Sequence, residues 1–539
     1  MPTNSTDVLV AGAGPTGLML ALELARRGVN LRIVDKLAAR SPYSRALVVQ
    51  ARSLELLQNL GLADEFLAVG FRNIAVTAYV KGREMVRFDL GDIGAASTPY
   101  PFVLFISQAE TERILEQALN RHGITVERST TVAGFTQDDN GVSIDLKRAD
   151  GAGETLRCRY LAGCDGAHSV VRHGLGLEFK GGAYAQDFVL ADVHIDWDLP
   201  HDRMQAFLAS PGVMVVFPFP DGTQRIVATL PPGCNDTEKE LNLADMQTIA
   251  RQLSARELTL SKPVWISRFR LHHRGVERYG LGRVFIGGDA AHIHSPAGGQ
   301  GMNTGIQDAA NLAWKLDLAL KSATPATNLL DSYGAERVPI GRVLLKRTDR
   351  LFEFAATRNR LIVALRNFLL PRLIPRILGD AQRRASAFRF VSQLGIHYRG
   401  SPLVFDVGKW NAGPAAGERA PDAPLRQGDN AITLFERMRG TAHRLLVFIT
   451  DEKNIAHDLF ARASELPFPC ETVVIGTNTR EDTTISYDPA RHAHALYGVT
   501  EAGAIYLVRP DGYIGMRAPL ADAAVALKRY SDNLGIALR

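Results

Sequence analysis

A glycine-rich segment near the start of the chain constrains the fold more strongly than any other feature of the sequence. Its residues are Gly12, Ala13, Gly14, Pro15, Thr16 and Gly17. The short apolar run Asp7–Ala11 precedes it, and the helix-like stretch Leu18–Arg27 follows it. Leu31–Val34 then returns to strand composition. This order predicts a strand–helix–strand unit, and therefore a sheet that begins with parallel strands.

The glycine pattern also predicts a ligand. Glycines let the backbone approach a pyrophosphate closely, and the N-terminus of the following helix favours negative charge. Asp35 ends the second strand, 18 residues after Gly17, where a carboxylate can accept hydrogen bonds from a ribose. The alternative is a tight turn without a ligand, because the pattern is a weak signal on its own.

Three further clusters are rich in glycine; the first two carry a carboxylate where an apolar strand ends, and the third precedes a helix. They are Gly163–Arg172, Val284–His292 and Pro296–Gly305, the last of which precedes a predicted helix at 306–321. Ligands of open α/β sheets bind at the carboxyl ends of the strands, where Asp289 is predicted to lie. The third cluster suits close approach to a planar ligand, and the helix after it offers positive partial charge to an anion. The alternatives are a plain turn at Asp165, a helix-capping carboxylate at Asp289 and a surface loop for the third cluster.

The remaining chain divides by pattern into three kinds of segment. Alternating or apolar runs at 74–90 and 188–230 predict strands. Residues 339–399 favour helix, with breaks at Pro371 and Pro375. Residues 411–429 are rich in Gly, Pro and Ala and predict a linker. Beyond them, a small α/β domain is predicted from strands at 444–449, 472–475 and 504–508 and a helix near 522–530.

Charge and cysteine content exclude several classes of protein. The 62 basic and 57 acidic side chains give 62 − 57 = +5, too small an excess to indicate a nucleic-acid-binding protein. Four cysteines without C-x-x-C spacing disfavour a disulfide scaffold and a metal site. The sequence shows no signal peptide and no uncharged apolar run of spanning length, which predicts a cytoplasmic protein.

Taken together, the motifs resemble those of one family. Gly12–Gly17 with Asp35, Cys164-Asp165-Gly166, and Gly288-Asp289 followed by His294-Ser295-Pro296 resemble the three fingerprints of class A flavoprotein aromatic hydroxylases. The stretch 292–316 (HIHSPAGGQGMNTGIQDAANLAWKL) is similar to the phenol hydroxylase subgroup, with pentachlorophenol and polyketide monooxygenases. The resemblance is firm from Asp7 to about Glu336 and weaker in the C-terminal part.

The resemblance implies an α/β fold with three parts. These are a Rossmann-like FAD-binding domain, an interleaved β-sheet substrate domain and a thioredoxin-like C-terminal α/β domain. The expected boundaries are 1–75, 103–180 and 275–338 for the FAD-binding domain. For the substrate domain they are 76–102, 181–274 and 339–400, and the C-terminal domain covers 401–539.

The resemblance also implies noncovalently bound FAD and the residues that hold it. The glycine segment would hold the pyrophosphate, Asp35 and Lys36 the adenosine side, and Asp289 the ribityl chain. Gly301, Met302 and Asn303 would offer amides to the flavin ring. The remaining expected contacts are Arg45, Gln108, Val132, Asp165, Gly288 and Pro296.

For the reaction, the resemblance implies transient NAD(P)H and O₂ as co-substrates. Only one G-x-G-x-x-G pattern is present, so NAD(P)H has no Rossmann domain of its own. A flavin C4a-hydroperoxide would then hydroxylate an electron-rich phenolic or polycyclic ring. Pro296 would lie over the flavin, and the pocket would be formed by residues 205–230 and the helices after Glu336. The polar candidates for assisting the phenol are Arg225, His194, His272, His273 and Tyr184.

Several alternatives stay open at this point. The same scaffold could catalyse epoxidation or Baeyer–Villiger oxidation, or bind flavin without catalysis, whereas a halogenase is disfavoured because Trp265-Ile266 lacks the expected neighbouring motif. The C-terminal domain is a candidate for homo-oligomer contacts. Residues 342–399 carry 13 basic and 3 acidic side chains. This excess fits a solvated helix face, steering of an anionic substrate, or weak contact with an anionic membrane surface.

Overall fold

The computed structural model describes residues 5–41, 46–73, 75–89, 98–209, 212–230, 240–294, 299–356, 362, 363, 365, 368, 369, 380–450, 457–477 and 485–537. Two predicted site residues, Arg45 and Pro296, lie outside these residues, as do Pro371 and Pro375. Within the described chain, no helix combines the length and apolar character needed to cross a membrane.

Strands alternate with helices along most of the chain. The strands are β1 (Ser5–Ala11), β2 (Leu31–Val34), β3 (Val48–Val49), β4 (Phe71–Asn73), β5 (Ala75–Val80), β6 (Arg83–Asp89), β7 (Val103–Phe105), β8 (Thr130–Asp138), β9 (Gly141–Arg148), β10 (Gly153–Gly163), β11 (Lys180–Asp196), β12 (Met204–Leu208), β13 (Val213–Pro218), β14 (Gln224–Thr229), β15 (Thr259–Gly275), β16 (Gly280–Leu281), β17 (Val284–Ile286), β18 (His292–Ile293), β19 (Phe405–Asp406), β20 (Pro424–Gln427), β21 (Asn430–Thr433), β22 (His443–Phe448), β23 (Cys470–Gly476), β24 (Ser486–Tyr487), β25 (Ala504–Val508) and β26 (Ile514–Pro519). The helices are α1 (Pro15–Ala25), α2 (Ala51–Leu60), α3 (Ala63–Val69), α4 (Gln108–Arg121), α5 (Val170–Gly174), α6 (Leu243–Ser254), α7 (Gly301–Lys321), α8 (Thr327–Ala356), α9 (Ala381–Val391), α10 (Leu434–Met438), α11 (His457–Ser464), α12 (His492–Leu496) and α13 (Ala523–Leu534).

The first sheet confirms the predicted strand–helix–strand unit. Its order is β16-β17-β10-β1-β2, with β9 beside β10 and β8 beside β9. β1 pairs in parallel with β2 and β10, and β10 pairs in parallel with β17. α1 connects β1 to β2 and packs against α7 and α4. The carboxyl ends of β1, β2, β10 and β17 therefore meet at one edge of the sheet.

The second sheet confirms the strand character predicted around 74–90 and 188–230. Its order is β18-β15-β11-β14-β13-β12-β5-β6, and all its pairs are antiparallel except that of β12 with β5. One face packs an apolar core against α6. A capping box between Asn242 and Asp245 fixes the start of that helix. On the opposite face, which we call the inner face, Met204 and Phe217 pack with Val48 of β3 and Phe105 of β7.

The third sheet carries the C-terminal α/β domain. Its order is β19-β26-β25-β22-β23-β24-β20-β21. β22 and β23 are parallel, whereas β25 runs antiparallel to both β22 and β26. The order β26-β25-β22-β23 is that of thioredoxin-like domains, so the predicted fold class is confirmed.

The linker predicted at 411–429 is wrong. Ala416, Ala420 and Ala423 are buried in the core of the C-terminal domain, and β20 lies inside this segment. The small residues that suggested a flexible connection instead allow the chain to pack closely in this core. Composition alone could not distinguish these two causes.

Buried charges join the C-terminal domain to α7 and α8. Arg509 donates two hydrogen bonds to Glu336 on α8, at 2.7 and 2.9 Å. Lys315 on α7 also donates to Glu336, at 2.8 Å, and Arg509 bonds Asp511 at 2.5 Å. Asn311 on α7 donates to both Glu336 and Asp511. We call these five residues the interdomain charge network. All five are buried, with at most 3% of each residue exposed.

The chemistry of Cys470 argues against a thiol function for the C-terminal domain. Cys470 is the only cysteine after residue 400. Burial raises the pKa of its thiol to about 12, so the reactive thiolate is scarce at neutral pH. A dithiol mechanism also needs two cysteines. We expect Cys470→Ser to leave turnover and flavin content unchanged when both are assayed against the wild type; a loss of turnover above about tenfold would contradict this.

Candidate active site

The glycine segment forms the turn between β1 and α1. Gly12 has a φ of 99°, and a side chain there would collide with the carbonyl oxygen of Cys164, so only glycine fits. No atom lies within 4 Å of the place where Gly14 would carry a Cβ, which leaves room for a ligand. α1 begins at Pro15, directly after Gly14, without a side-chain cap and with no acidic residue in its first turn. Its N-terminal amides can therefore face an anion.

Asp35 lies beside this turn, as the sequence predicts. Its carboxylate accepts hydrogen bonds from the backbone N–H of Ala13 at 2.6 Å and of Leu37 at 2.8 Å. Lys36 next to it is exposed. Both residues follow β2, at the edge where the glycine turn is found.

The Cys164-Asp165 turn meets the glycine turn from the neighbouring strand. Asp165 accepts hydrogen bonds from the N–H groups of Val170 and Val171, at 2.7 and 3.2 Å, and so supports the start of α5. Arg172 on α5 is buried and donates to the carbonyl oxygen of Ala290 at 3.1 Å. This hydrogen bond joins the Asp165 turn to the Gly288-Asp289 turn.

The Gly288-Asp289 turn follows β17 as a single 3₁₀ turn, Gly288–Ala290. Gly288 has a φ of 60° and packs against Thr16 so closely that a side chain would collide with the threonine hydroxyl. Asp289 is exposed, whereas Gly288 and Ala290 on either side of it are buried. The turn thus holds one carboxylate at the surface of the edge formed by the glycine turn.

α7 supplies a second helix N-terminus at the same edge. It begins at Gly301, five residues before the predicted start at Ile306, without a side-chain cap or an acidic residue in its first turn. Gly305 packs against Thr16, so α7 touches the glycine turn. Gly301 is half-buried, whereas Met302 and Asn303 are buried.

The side chain of Asn303 fastens α7 to β3. It accepts a hydrogen bond from the N–H of Gln50 at 2.9 Å and donates to the carbonyl oxygens of Val48 and Gly299, at 2.8 and 2.7 Å. The side chain is therefore committed to protein contacts. What Asn303 has left for a ligand is its backbone amide.

A buried ionic group supports these turns, and the sequence analysis missed it. Asp308 on α7 accepts from the N–H of Gly288 at 3.0 Å, from His292 at 2.8 Å and from Arg337 at 2.6 Å. Burial raises the pKa of the Asp308 carboxyl, but Arg337 and His292 outweigh burial and hold the pKa below its usual value. The signal available in the sequence was an acidic residue, Asp308, within a helix that the pattern predicts to be buried.

The remaining described cofactor candidates, Gln108 and Val132, are outside the turns themselves. Gln108 begins α4 and donates to Glu112 at 2.8 Å. Val132 is buried in β8. Val34 of β2 forms a β-bridge with Glu127, which precedes β8, and the N–H of Thr130 at the start of β8 donates to the carbonyl oxygen of Asp35 at 2.9 Å. β8 therefore begins beside Asp35.

The inner face of the second sheet carries the predicted polar residue Arg225. Arg225 forms two hydrogen bonds to the carboxylate of Asp192, both 2.6 Å long, and the two side chains are buried. The guanidinium lies over the rings of Phe219 and Trp265. Because Asp192 already balances its charge, Arg225 is a positioned, neutralised cation rather than an isolated one.

Phe219, over which the guanidinium of Arg225 lies, belongs to a cluster of aromatic and apolar side chains. Val48 on β3 and Phe105 on β7 pack with Phe71, Met204, Phe217 and Phe219. Phe217 is the cross-strand partner of Arg225. Since Val48 is bound to Asn303 through its carbonyl oxygen, this cluster connects the N-terminus of α7 with the inner face of the sheet.

The other polar candidates lie in two groups. His194 is half-buried and sits two residues beyond Asp192 on β11. Tyr184 and His273 form an edge contact, with ring centroids 5.0 Å apart, eight residues along the strands from the Arg225 pair. At about 3.3 Å per residue, this separation is roughly 26 Å. His272, whose pKa is lowered by burial and by Arg274 and Arg270, lies beside His273. The structure does not bring all five candidates together.

Comparisons with known proteins agree with this geometry. Residues 5–348 match the model of an FAD binding domain, and residues 413–534 match that of the C-terminal domain of aromatic-ring hydroxylases. The chain is 36% identical to 6-methylpretetramide 4-monooxygenase of Streptomyces rimosus, over 95% of this chain and 91% of that protein. It is 32% identical to pentachlorophenol 4-monooxygenase of Sphingobium chlorophenolicum, over 96% and 95% of the two chains.

A solved structure is similar to this chain in fold as well. The anhydrotetracycline hydroxylase OxyS of Streptomyces rimosus superimposes with a TM-score of 0.74 at 29% identity, covering 96% of each chain. The resemblance inferred from the motifs is therefore confirmed, and the chain belongs to the FAD-dependent aromatic-ring hydroxylases that include pentachlorophenol and polyketide monooxygenases.

Proposed function

We propose that this protein is an NAD(P)H-consuming monooxygenase that hydroxylates a phenolic or polycyclic aromatic substrate. The observation that carries the proposal is the uncapped N-terminus of α7, which Asn303 fastens to an aromatic cluster on the substrate side. A helix N-terminus stabilises negative charge, and an aromatic wall accepts a planar ring. The site thus offers both requirements of the reaction.

The residues present fit FAD. The open space at Gly14 and the uncapped start of α1 suit a pyrophosphate, and Asp35 beside them suits the ribose. Asp289 stands exposed at the same edge and would bind the ribityl chain. The amides of Gly301, Met302 and Asn303 would face the flavin ring. Lys36 and Val132 would lie on the adenosine side, and Gln108 would contact the phosphate and ribityl groups.

When bound, FAD would supply the redox chemistry, which is acceptance of two electrons from NAD(P)H and activation of O₂ at its C4a position. The protein's own residues bind, orient and exclude water. The dipole of α7 would stabilise the negative charge of the reduced ring, because no acidic residue in its first turn opposes it. The apolar cluster around Phe105 and Phe217 would keep water away from the reacting ring.

Arg225, His194 and Pro296 are the residues we propose closest to the reaction. Arg225 is held in place by Asp192, so it can orient a phenolic oxygen without moving. His194 follows on the same strand and would move a proton. Pro296 is proposed from the family resemblance to cover the flavin.

Three measurements on the purified protein test the proposal. Acid denaturation of the purified protein should release all flavin through a filter that retains the chain. With a panel of phenols and polycyclic phenols, substrate should accelerate NADPH or NADH oxidation, and isotopically labelled O₂ should place one labelled oxygen in a hydroxyl product. An epoxide or ester product would assign the scaffold to the alternative oxidations. Bound FAD without any substrate-dependent NAD(P)H consumption would reject enzymatic function.

A further inference from the structure

A small cavity lies where the C-terminal domain meets α2, apart from the flavin edge. Its volume is about 60 Å³, several times the 10–15 Å³ that one water molecule needs. Arg52 and Gln58 of α2 line one side, and Arg444 and Arg509 of the C-terminal domain line the other. Glu55 of α2 also lines the cavity and accepts a hydrogen bond from Arg52 at 2.9 Å, so arginines from both domains and one carboxylate bound it.

Two of these arginines carry buried N–H groups without an acceptor among the described residues. They are the Nε of Arg52 and the Nε of Arg444; the Nη1 of Arg444 is also buried and makes no hydrogen bond. Arg444 is 4% exposed. Its Nη2 donates to the carbonyl oxygen of Arg439, and its Nη1 lies 3.0 Å from Glu471 without the alignment of a hydrogen bond. Arg509, by contrast, is fully bonded to Glu336 and Asp511.

Positive charge is in excess beside the cavity. Arg26 and Arg27 at the end of α1 share the single carboxylate of Glu23. The pKa of Arg26 is lowered by burial, an effect that Glu23 opposes and that Arg27, Arg439 and Arg444 reinforce. Among the described residues, the carboxylate partner of Arg444 is Glu471, which is mostly exposed to solvent. Among the described residues, no carboxylate within ion-pair distance balances Arg439.

We propose that this cavity binds a small oxyanion of the phosphate or sulfate type, and that the anion ties the C-terminal domain to the FAD-binding domain. A buried donor without an acceptor is costly, and an oxyanion accepts several N–H bonds at once. The planar guanidinium group matches the geometry of a phosphate. The cavity is too small for a nucleotide, although a terminal nucleotide phosphate has the same chemistry. The proposal does not depend on the reaction proposed above.

Equilibrium dialysis of labelled inorganic phosphate against the FAD-saturated protein tests the proposal, because bound FAD keeps phosphate out of the pyrophosphate site. We expect one saturable phosphate per chain at constant ionic strength, competed by sulfate but not by chloride. Arg444→Met should weaken binding by at least about tenfold, whereas the exposed Arg491→Met should not change it. Arg26→Met, on the other domain, serves as a second variant and should weaken binding by a smaller factor.

The following results either support the proposal or overturn it. Competition by NADPH at equal concentration would assign the oxyanion to a nucleotide phosphate, and its absence would assign it to the free ion; both support the chemistry proposed. Failure of the FAD-saturated wild type to bind phosphate saturably would overturn the proposal. Equal binding by the wild type, Arg444→Met and Arg26→Met would overturn it as well.

Discussion

Asp289→Ala should yield protein that is largely free of flavin. Asp289 is the exposed carboxylate at the edge where the two uncapped helix N-termini meet, and we propose that it accepts hydrogen bonds from ribityl hydroxyls. A hydrogen bond to a charged group contributes about 1.5–3 kcal/mol, which is about a 10- to 150-fold change in Kd for each bond lost. Flavin content per chain after gel filtration and the Kd for added FAD measure the effect.

Two matched variants make this result specific. Asp289→Asn keeps an acceptor of the same shape without the charge, so its FAD affinity should lie between those of the wild type and Asp289→Ala. Asp331→Ala removes an exposed carboxylate on α8 and should retain full flavin. If Asp289→Ala still carried one FAD per chain, the ribityl contact would have to be made elsewhere.

The parts of the site that the sequence predicts correctly are those with short-range causes. The turn at Gly12–Gly17, the carboxylate at Asp35 and the turn at Gly288 each follow an apolar strand directly. Parallel strands then bring their ends to one edge, so predicting the strands was enough to predict that these residues meet.

The parts that the sequence does not predict depend on contacts between distant segments. Arg225 is a visible candidate, but its partner Asp192 is 33 residues away and is selected by strand register. Arg337 and His292 become partners of Asp308 only through the packing of α7, α8 and β18. The early start of α7 at Gly301 has a similar cause, because Asn303 is held by β3, about 250 residues earlier in the chain.

The interdomain charge network should make Glu336 one of the most sensitive positions for stability. Glu336 accepts hydrogen bonds from Arg509, Lys315, Asn311 and Ser401, and it is fully buried. Burial raises the pKa of its carboxyl, but Arg509 and Lys315 outweigh burial and hold the pKa far below its usual value. Burial lowers the pKa of Lys315 to about 8, and Glu336 opposes that shift.

Glu336→Gln should therefore destabilise the folded protein by about 3–5 kcal/mol, because it leaves two buried cations with the single carboxylate of Asp511. Unfolding in urea at pH 7, followed by tryptophan fluorescence, measures the change; Trp314 lies beside Arg509 and reports on this region. Glu501→Gln removes the same charge from an exposed pair with Arg491 and should cost less than about 1 kcal/mol.

The pH dependence of the change in unfolding free energy caused by Glu336→Gln distinguishes loss of the carboxylate charge from a change in packing. A carboxyl whose pKa is lowered by folding contributes stability that is complete above its unfolded value of 4.5 and is lost as the pH falls through the folded value. The difference in unfolding free energy between wild type and Glu336→Gln should thus be constant from about pH 5 to 7 and should become smaller on further acidification. A gap that stays the same down to pH 3 would show that Glu336 stabilises the domain contact through packing, with no net contribution from its charge.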